Sequence, residues 1–281
     1  QQAKVTLITH RGRPNGKPDP ELSVRILCDY FSQAINEPVQ FIDELLSPRL
    51  TSDVCLVENL RFHRGEEEAE PAFARLLARL GDLYCNDAFA VSHRAHASIS
   101  VLPTLLPHAA GVRLAEEVRQ LAPLRDGADA PYAVVLGGSK VADKLLLLAS
   151  FAHSADMVIV GGLVAVTYLA AMGNPVGAHA TGAGELKAAR EVIRALNEAN
   201  ASLLVPMDFI TQSGEVKTIQ QWGAGDLMLD IGPETVRQYA LAIDRANTVF
   251  WNGAMGKCEK PQFAKGTIEV ARAIGASGAE V

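Results

Sequence analysis

Little cysteine is present, and its pattern excludes more than its number. Cys28, Cys55, Cys85 and Cys258 contain no C-x-x-C pair, and each stands in an apolar or strand-like context, where a free thiol packs as a small hydrophobe. They read as reduced, which suits the cytoplasm. No G-x-S-x-G, H-E-x-x-H or kinase H-R-D signature occurs, so nucleophilic hydrolysis, zinc hydrolysis and protein-kinase chemistry lose their usual signs. His93 and His96 have a spacing a metal could use, but no third ligand stands at a matching distance, and no resident metal is expected. A leader is not visible, because the sequence opens directly into Lys4-Val5-Thr6-Leu7-Ile8. Excess positive charge is lacking too. A formal net charge of -6 argues against general binding to nucleic acid or an anionic membrane, so any anion site must be a local cluster of Arg and Lys. Asn200-Ala201-Ser202 matches a glycosylation acceptor only as a short pattern without a secretory context.

A membrane span is excluded by punctuation rather than by composition. Met157 to Ala178 carries no formal charge and approaches the ~20 residues a span needs. Yet Met157-Val158-Ile159-Val160 is a β-branched run broken by Gly161-Gly162, and Leu163 to Met172 then has helical composition before Gly173-Asn174-Pro175. Strand, glycine turn and helix explain the stretch.

What the chain does have is a repeating alternation. Its 281 residues, 48% hydrophobic and 21% charged, suit two compact domains with cores of their own. Strands are predicted at Lys4–Thr9, Val39–Ile42, Val54–Glu58 and Leu83–Asn86, with amphipathic helices over Pro20–Ile35 and Glu67–Leu80. Pro71 falls near the start of the latter, where a helix tolerates it. A second series places strands at Tyr132–Leu136, Met157–Val160, Leu203–Val205, Leu227–Leu229 and Thr248–Trp251. Helices are expected between them at Val141–Ala152, Glu185–Ala199 and Pro233–Ala246, with a last one at Thr267–Ala276. Repeated βα units imply an α/β class with two doubly wound, Rossmann-like parallel-sheet domains. Ligands then collect at the C-terminal strand ends, near helix N-termini. A helix over Leu114–Leu124 and the polar connector Arg125–Pro131 mark the join. They suggest two lobes able to move as bodies about a cleft.

One segment carries the strongest chemical signal. Val135-Leu136-Gly137-Gly138-Ser139-Lys140-Val141-Ala142-Asp143-Lys144 follows a predicted strand and opens a predicted helix. Glycines admit close backbone approach, helix-start amides favour phosphate, and Lys140 and Lys144 share one helical face. The spacing fits neither a P-loop nor a dinucleotide fingerprint, and alone it reads equally as a tight turn with two solvated lysines. In the first half, His10, Arg13, Arg61 and Arg94 recur at strand ends. Their guanidinium forks suit carboxylate or phosphate oxygens if they converge, although each alone reads as a surface ion pair.

Taken in order, these segments resemble the phosphoglycerate kinase family over nearly the whole chain. Thr9–Pro14 is similar to S-H-L-G-R-P, Glu58–Phe62 to E-N-x-R-F, Asn86–Ser98 to N-D-A-F-x-x-x-H-R-A-H-x-S, and Leu136–Lys144 to L-G-G-[AS]-K-V-x-D-K. Pro206–Asp208, Asp230–Pro233, Trp251–Gly256 and Phe263–Thr267 resemble P-x-D, D-I-G-P, W-N-G-P-M-G and F-A-x-G-T. The resemblance implies reversible phosphoryl transfer between 1,3-bisphosphoglycerate and ADP, giving 3-phosphoglycerate and ATP, by a cytoplasmic monomer using the Mg2+–nucleotide complex. It implies a substrate domain at residues 1–113 binding through His10, Arg13, Arg61 and Arg94, an interdomain helix and linker at 114–130, and a nucleotide domain at 131–281. There Gly137, Gly138, Gly161 and Gly162 shape the adenine pocket, Leu229 walls it, Lys144 meets phosphates, Glu259 the ribose, and Asn252 and Gly253 grip phosphate. Lys140 is the implied catalytic residue.

Three departures fall on that pocket. Leu163 replaces a third glycine, Ala254 a proline, and Lys257-Cys258 an apolar pair. The family's R-V-D-x-N-V-P segment would precede Gln1 and its glycine-rich G-G-G-[DS]-[ST] loop would follow Val281, so this chain alone is expected to turn over poorly or not at all despite keeping Lys140. A non-catalytic relative that keeps the arginines as a binding or regulatory protein is the second reading. A Rossmann-type oxidoreductase is a distant third, because no strand here leads into G-x-G-x-x-G.

Overall fold

The structure is a computed structural model that describes residues 3–281. It divides into two compact units between Gln120 and Leu121.

The first unit contains β1 (Val5–Leu7), α1 (Ile26–Ile35), β2 (Val39–Ile42), β3 (Val54–Val57), α2 (Arg64–Glu67), α3 (Pro71–Ala78), β4 (Tyr84–Asn86) and β5 (His108–Ala110). β1, β3 and β2 lie side by side in that order, all parallel, and β4 pairs with β5 in a second parallel ladder. The core gathers Val57 and Cys55 from β3 with Phe73 and Leu77 from α3 and Ala97 and Leu102 beyond them.

Both helices expected here are interrupted, for identifiable reasons. Pro20–Leu22 makes one tight turn, and the chain leaves helix at Ser23, whose ψ is 139°. There the Ser23 hydroxyl donates to Glu58 Oε2 at 2.7 Å and the Val24 amide to Glu58 Oε1 at 3.0 Å. A carboxylate far along the chain thus captures groups that a continuous helix would use. In the second case Glu70 is extended, as the residue before a proline prefers, and α3 begins at Pro71 itself.

α4 (Val112–Asp126) carries the chain into the second unit, which holds β6 (Tyr132–Leu136), α5 (Val141–Phe151), β7 (Met157–Val160), α6 (Gly162–Ala171), α7 (Ala183–Glu198), β8 (Ser202–Leu204), β9 (Asp208–Thr211), β10 (Val216–Thr218), β11 (Met228–Ile231), α8 (Pro233–Ile243), β12 (Thr248–Asn252) and α9 (Lys265–Ala276). The main sheet runs β12-β6-β7-β8, all parallel. All five residues of β6 are buried, which is why that strand reads as an unbroken apolar run rather than an alternating one. Successive strands move one way from β6 to β8, and β12 then adds on the other side of β6. That reversal is the switch point at which open α/β sheets place ligands.

One expected strand belongs elsewhere. The Leu227–Leu229 run overlaps the start of β11, which pairs antiparallel with β9 in a separate β10-β9-β11 sheet. β9 and β10 are joined at a turn where Gly214 has φ +86° and its amide donates to Thr211 O at 2.9 Å. The Met157–Ala178 stretch is β7, a glycine turn and α6, and no helix among the described residues is long and apolar enough to cross a membrane. Two cysteines also depart from expectation. Cys55 is buried and Cys28 half-buried, but Cys85 and Cys258 are exposed, one on the short strand β4 and the other in a surface turn after Gly256.

Candidate active site

In the first unit, parallel pairing brings separate segments to one sheet edge. Leu7 of β1 lies opposite Leu56 of β3, so the chains leaving both strands emerge together. Asn59 joins them: fully buried, its side-chain amide donates to Arg11 O at 2.7 Å and Leu22 O at 2.9 Å, and its carbonyl accepts the Arg61 amide at 3.1 Å. Arg61 is 5% exposed and donates from Nη1 to Gly12 O at 2.9 Å. Its Nε, like that of Arg94, is buried without a hydrogen-bond partner. The nearest acid to Arg61 Nε is Glu67, at 3.8 Å. Leaving a buried charged donor without a hydrogen bond costs ~1–3 kcal/mol, a cost an anionic ligand would relieve.

The electrostatics tie these groups together. Burial, opposed by Glu67 and reinforced by Arg94 and Arg13, holds Arg61 below its ordinary pKa. His10 is lowered by burial and then by the positive charges of Arg61, His96 and Arg94. The structure therefore brings His10, Arg61 and Arg94 within electrostatic reach of one another, with exposed Arg13 beside Arg61. It adds a member that sequence reasoning weighed only as a metal ligand: His96 is buried, with Nδ1 3.8 Å from Glu66 Oε1. Its signal was the second histidine of His93-Arg94-Ala95-His96. Glu66 and Glu67, the cluster's acids, carried no signal by themselves.

In the second unit, three strand ends meet at the switch point. Leu136 of β6 lies opposite both Val160 of β7 and Asn252 of β12. Gly137 N donates to Asn252 O at 3.0 Å, Gly161 N to Leu136 O at 2.9 Å, and Gly162 N to Met255 O at 2.8 Å. Backbone packs on backbone: a Cβ on Gly137 would lie 2.1 Å from Ala254 O, and one on Gly253, whose φ is +93°, 2.3 Å from Gly137 O. Gly137, Gly138, Gly161, Gly162, Asn252 and Gly253 thus line one knot of backbone. Leu163 is 37% exposed and not among the residues with positive φ, and its amide still donates to Gly138 O at 3.0 Å. That backbone bond therefore needs no third glycine.

Lys140 is the exposed N-cap of α5 and makes no side-chain cap bond. Lys144, one turn on, is half-buried; burial lowers its pKa, with Asp143 opposing and Lys140 adding to the shift. The helix N-terminus behind Lys140 presents amides with no intrahelical acceptor and a favourable dipole for negative charge. Across the knot, Lys257 N donates to Leu229 O at 2.7 Å, fastening to β11 the turn that carries exposed Glu259.

Asp230 underlies that turn. It is 1% exposed, accepts from Ile231 N at 2.9 Å and Gly266 N at 2.8 Å, and packs so tightly that a Cβ on Gly256 would lie 2.3 Å from its Oδ1. Burial raises its pKa to about 6, the two amide bonds opposing. A raised carboxyl binds its proton more tightly when folded, so its contribution to stability is complete below the unfolded value of 3.8 and lost as pH rises through about 6. Thermal unfolding across that window is expected to show a fall worth about 3 kcal/mol, at ~1.4 kcal/mol per pKa unit, that disappears in Asp230→Asn. An identical pH profile in the variant would remove Asp230 as its source.

Comparison with known proteins adds identity to this geometry. The family model for phosphoglycerate kinase matches residues 1–281. Curated phosphoglycerate kinases of Coprothermobacter proteolyticus and Bdellovibrio bacteriovorus are 34% and 36% identical, over 95% and 99% of this chain and 72% and 74% of their own. Among solved structures, the phosphoglycerate kinase of Coxiella burnetii superposes with a TM-score of 0.87 at 32% identity, covering 99% of this chain and 74% of that one. That of Pyrococcus horikoshii gives 0.80 at 29% identity, covering 99% and 75%. The chain thus spans about three quarters of the length of the relatives it matches.

Proposed function

The chain belongs to the phosphoglycerate kinase family, and from that premise we propose that its first unit holds 3-phosphoglycerate or the derived acyl-phosphate through His10, Arg13, Arg61 and Arg94, and its second unit the nucleotide. The enzyme is a phosphotransferase with a carboxyl group as acceptor. Each relative named above carries the kinase name, and none supports a non-catalytic binding protein. The observation that carries the site assignment is that Nε of both Arg61 and Arg94 is buried without a hydrogen-bond partner, in an otherwise acidic chain.

In the forward direction an oxygen of the ADP β-phosphate attacks the phosphorus of the acyl-phosphate, the bond from phosphorus to the carboxyl oxygen breaks, and ATP and a free carboxylate result. No protein nucleophile is needed, since in-line transfer asks for alignment and charge neutralisation. Arg61 and Arg94 orient the phosphoglycerate, and Arg13 adds charge at the exposed rim. Gly137, Gly138, Gly161 and Gly162 leave room for the adenine beside Leu229, and Glu259 meets the ribose. Asn252, Gly253 and Lys144 hold phosphate oxygens. Lys140 neutralises the phosphoryl group in transit, where a preorganised charge acts most strongly. Magnesium enters as part of the nucleotide substrate; among the described residues no group of three or more His, Cys, Asp or Glu could hold such an ion by itself. The four cysteines, all free, fit the reducing cytoplasm proposed for a monomeric enzyme.

Calorimetric titration with 3-phosphoglycerate tests the assignment. Replacing Arg13, Arg61 or Arg94 with Ala is expected to weaken binding by about 1.5–3 kcal/mol, the scale of a hydrogen bond to a charged group. Unchanged affinity in all three variants would leave only scattered arginines.

A further inference from the structure

The anion cluster is assembled from two segments far apart in sequence, and one side chain joins them. Arg61 lies in the turn after β3, and Arg94 lies in the irregular stretch after β4. Between residues 58–70 and 86–101, the described residues show hydrogen bonds at one place only. Glu66 Oε1 accepts the Ser98 hydroxyl at 2.6 Å, and Glu66 Oε2 accepts the Ser98 amide at 3.0 Å. Glu66 is 4% exposed and Ser98 6%, so water does not compete for either bond. The same carboxylate lies 3.8 Å from His96 Nδ1.

A buried carboxylate is expensive unless paired and fully hydrogen-bonded. A merely structural tie could be made more cheaply by a neutral side chain. Here the negative charge sits beneath a cluster of positive ones, opposing the effect of burial on both Arg61 and His96. It therefore lets cations gather in the site while the bidentate bond fixes where the Arg94 segment runs. Glu67, its neighbour in sequence, is by contrast one-third exposed, lies 3.8 Å from Arg61 Nε, and makes no hydrogen bond to the Arg94 segment among the described residues.

We infer that Glu66 is a positioning residue for the anion site, clamping the Arg94-bearing segment to the Arg61-bearing turn through Ser98 so that both guanidinium groups meet one phosphoglycerate. The inference rests on the substrate assignment above. It predicts that Glu66→Ala weakens 3-phosphoglycerate about tenfold or more, the worth of a hydrogen bond to a charged group, and leaves MgADP affinity within about twofold. Ser98→Ala, which keeps the amide bond, should weaken 3-phosphoglycerate by a smaller factor, and Ser98→Thr should restore it.

The deciding test is a double-mutant cycle read by calorimetry. If Glu66 acts through Arg94, Arg94→Ala costs much less in the Glu66→Ala background than in the parent protein. Should Glu66→Ala fail to fold, the cycle is run with Ser98→Ala. Full additivity, or equal losses for 3-phosphoglycerate and MgADP, would reduce Glu66 to a structural residue and overturn the inference. Loss of binding on Arg61→Ala but not on Glu66→Ala or Ser98→Ala would overturn it while sparing the substrate assignment. Binding indifferent to Arg13→Ala, Arg61→Ala and Arg94→Ala alike would overturn both.

Discussion

Replacing Lys140 with Ala is expected to slow phosphoryl transfer ~10²–10³-fold relative to the unsubstituted protein, the usual consequence of losing one preorganised charge from a reacting centre. The reason lies in its position. Lys140 caps α5 just after the glycine knot and is exposed, with no side-chain hydrogen bond at the cap, so truncating its side chain breaks no cap bond. Ground-state affinities for 3-phosphoglycerate and MgADP should change little, since the charge is wanted mainly by the group in flight. Single-turnover rates at stoichiometric protein, taken across substrate concentration, separate the outcomes. A fall in the transfer rate at saturating substrate with nearly constant half-saturation supports the role, whereas a raised half-saturation for nucleotide with the saturating rate intact would move Lys140 from catalysis to binding.

The second large effect is structural. Gly137→Ala places a Cβ 2.1 Å from the carbonyl oxygen of Ala254, and that oxygen belongs to backbone, not to a flexible side chain. Relief requires moving the loop after β12, whose Gly253 is itself packed against Gly137 O. The expected cost is about 3 kcal/mol, the upper end for overpacking. It would appear as a melting temperature lower by roughly 6–12 °C for a unit of this size, together with weakened MgADP binding. Gly138→Ala is the informative control. Its Cβ would meet nothing within 4 Å, and only its φ of +95° resists substitution, so a smaller loss is expected there. Equal losses at the two positions would mean that backbone strain, not contact, governs the knot.

Much of the second unit was legible because its signals are local. The buried run Tyr132–Leu136, the glycine pair after it and the lysines at the start of α5 are consecutive, and each follows from its neighbours. The first unit was less legible. That His10, Arg61 and Arg94 converge depends on β1 lying beside β3 and on Asn59 and Glu66 tying distant segments, none of which a linear pattern expresses. The break at Ser23 was hidden for the same reason, because the carboxylate that causes it belongs to Glu58. β11 was found as a strand but placed in the wrong sheet, since its apolar run resembles a buried parallel strand while its partner β9 is reached through a hairpin that the sequence reading did not identify. The family resemblance supplied roles for residues such as Leu229 and Glu259, whose types alone imply nothing. The structure ties their segments by a backbone bond from Lys257 to Leu229.

The proposed function requires one chain to carry an acyl-phosphate site and a nucleotide site for phosphoryl transfer. Phosphorus NMR at stoichiometric protein tests it most directly, because a single turnover is then visible even if cycling is slow. With MgATP and 3-phosphoglycerate both present, ADP resonances are expected together with a new acyl-phosphate resonance, and no change when 3-phosphoglycerate is omitted. Release of inorganic phosphate from ATP without 3-phosphoglycerate, or a spectrum that stays unchanged with both substrates bound, would contradict it.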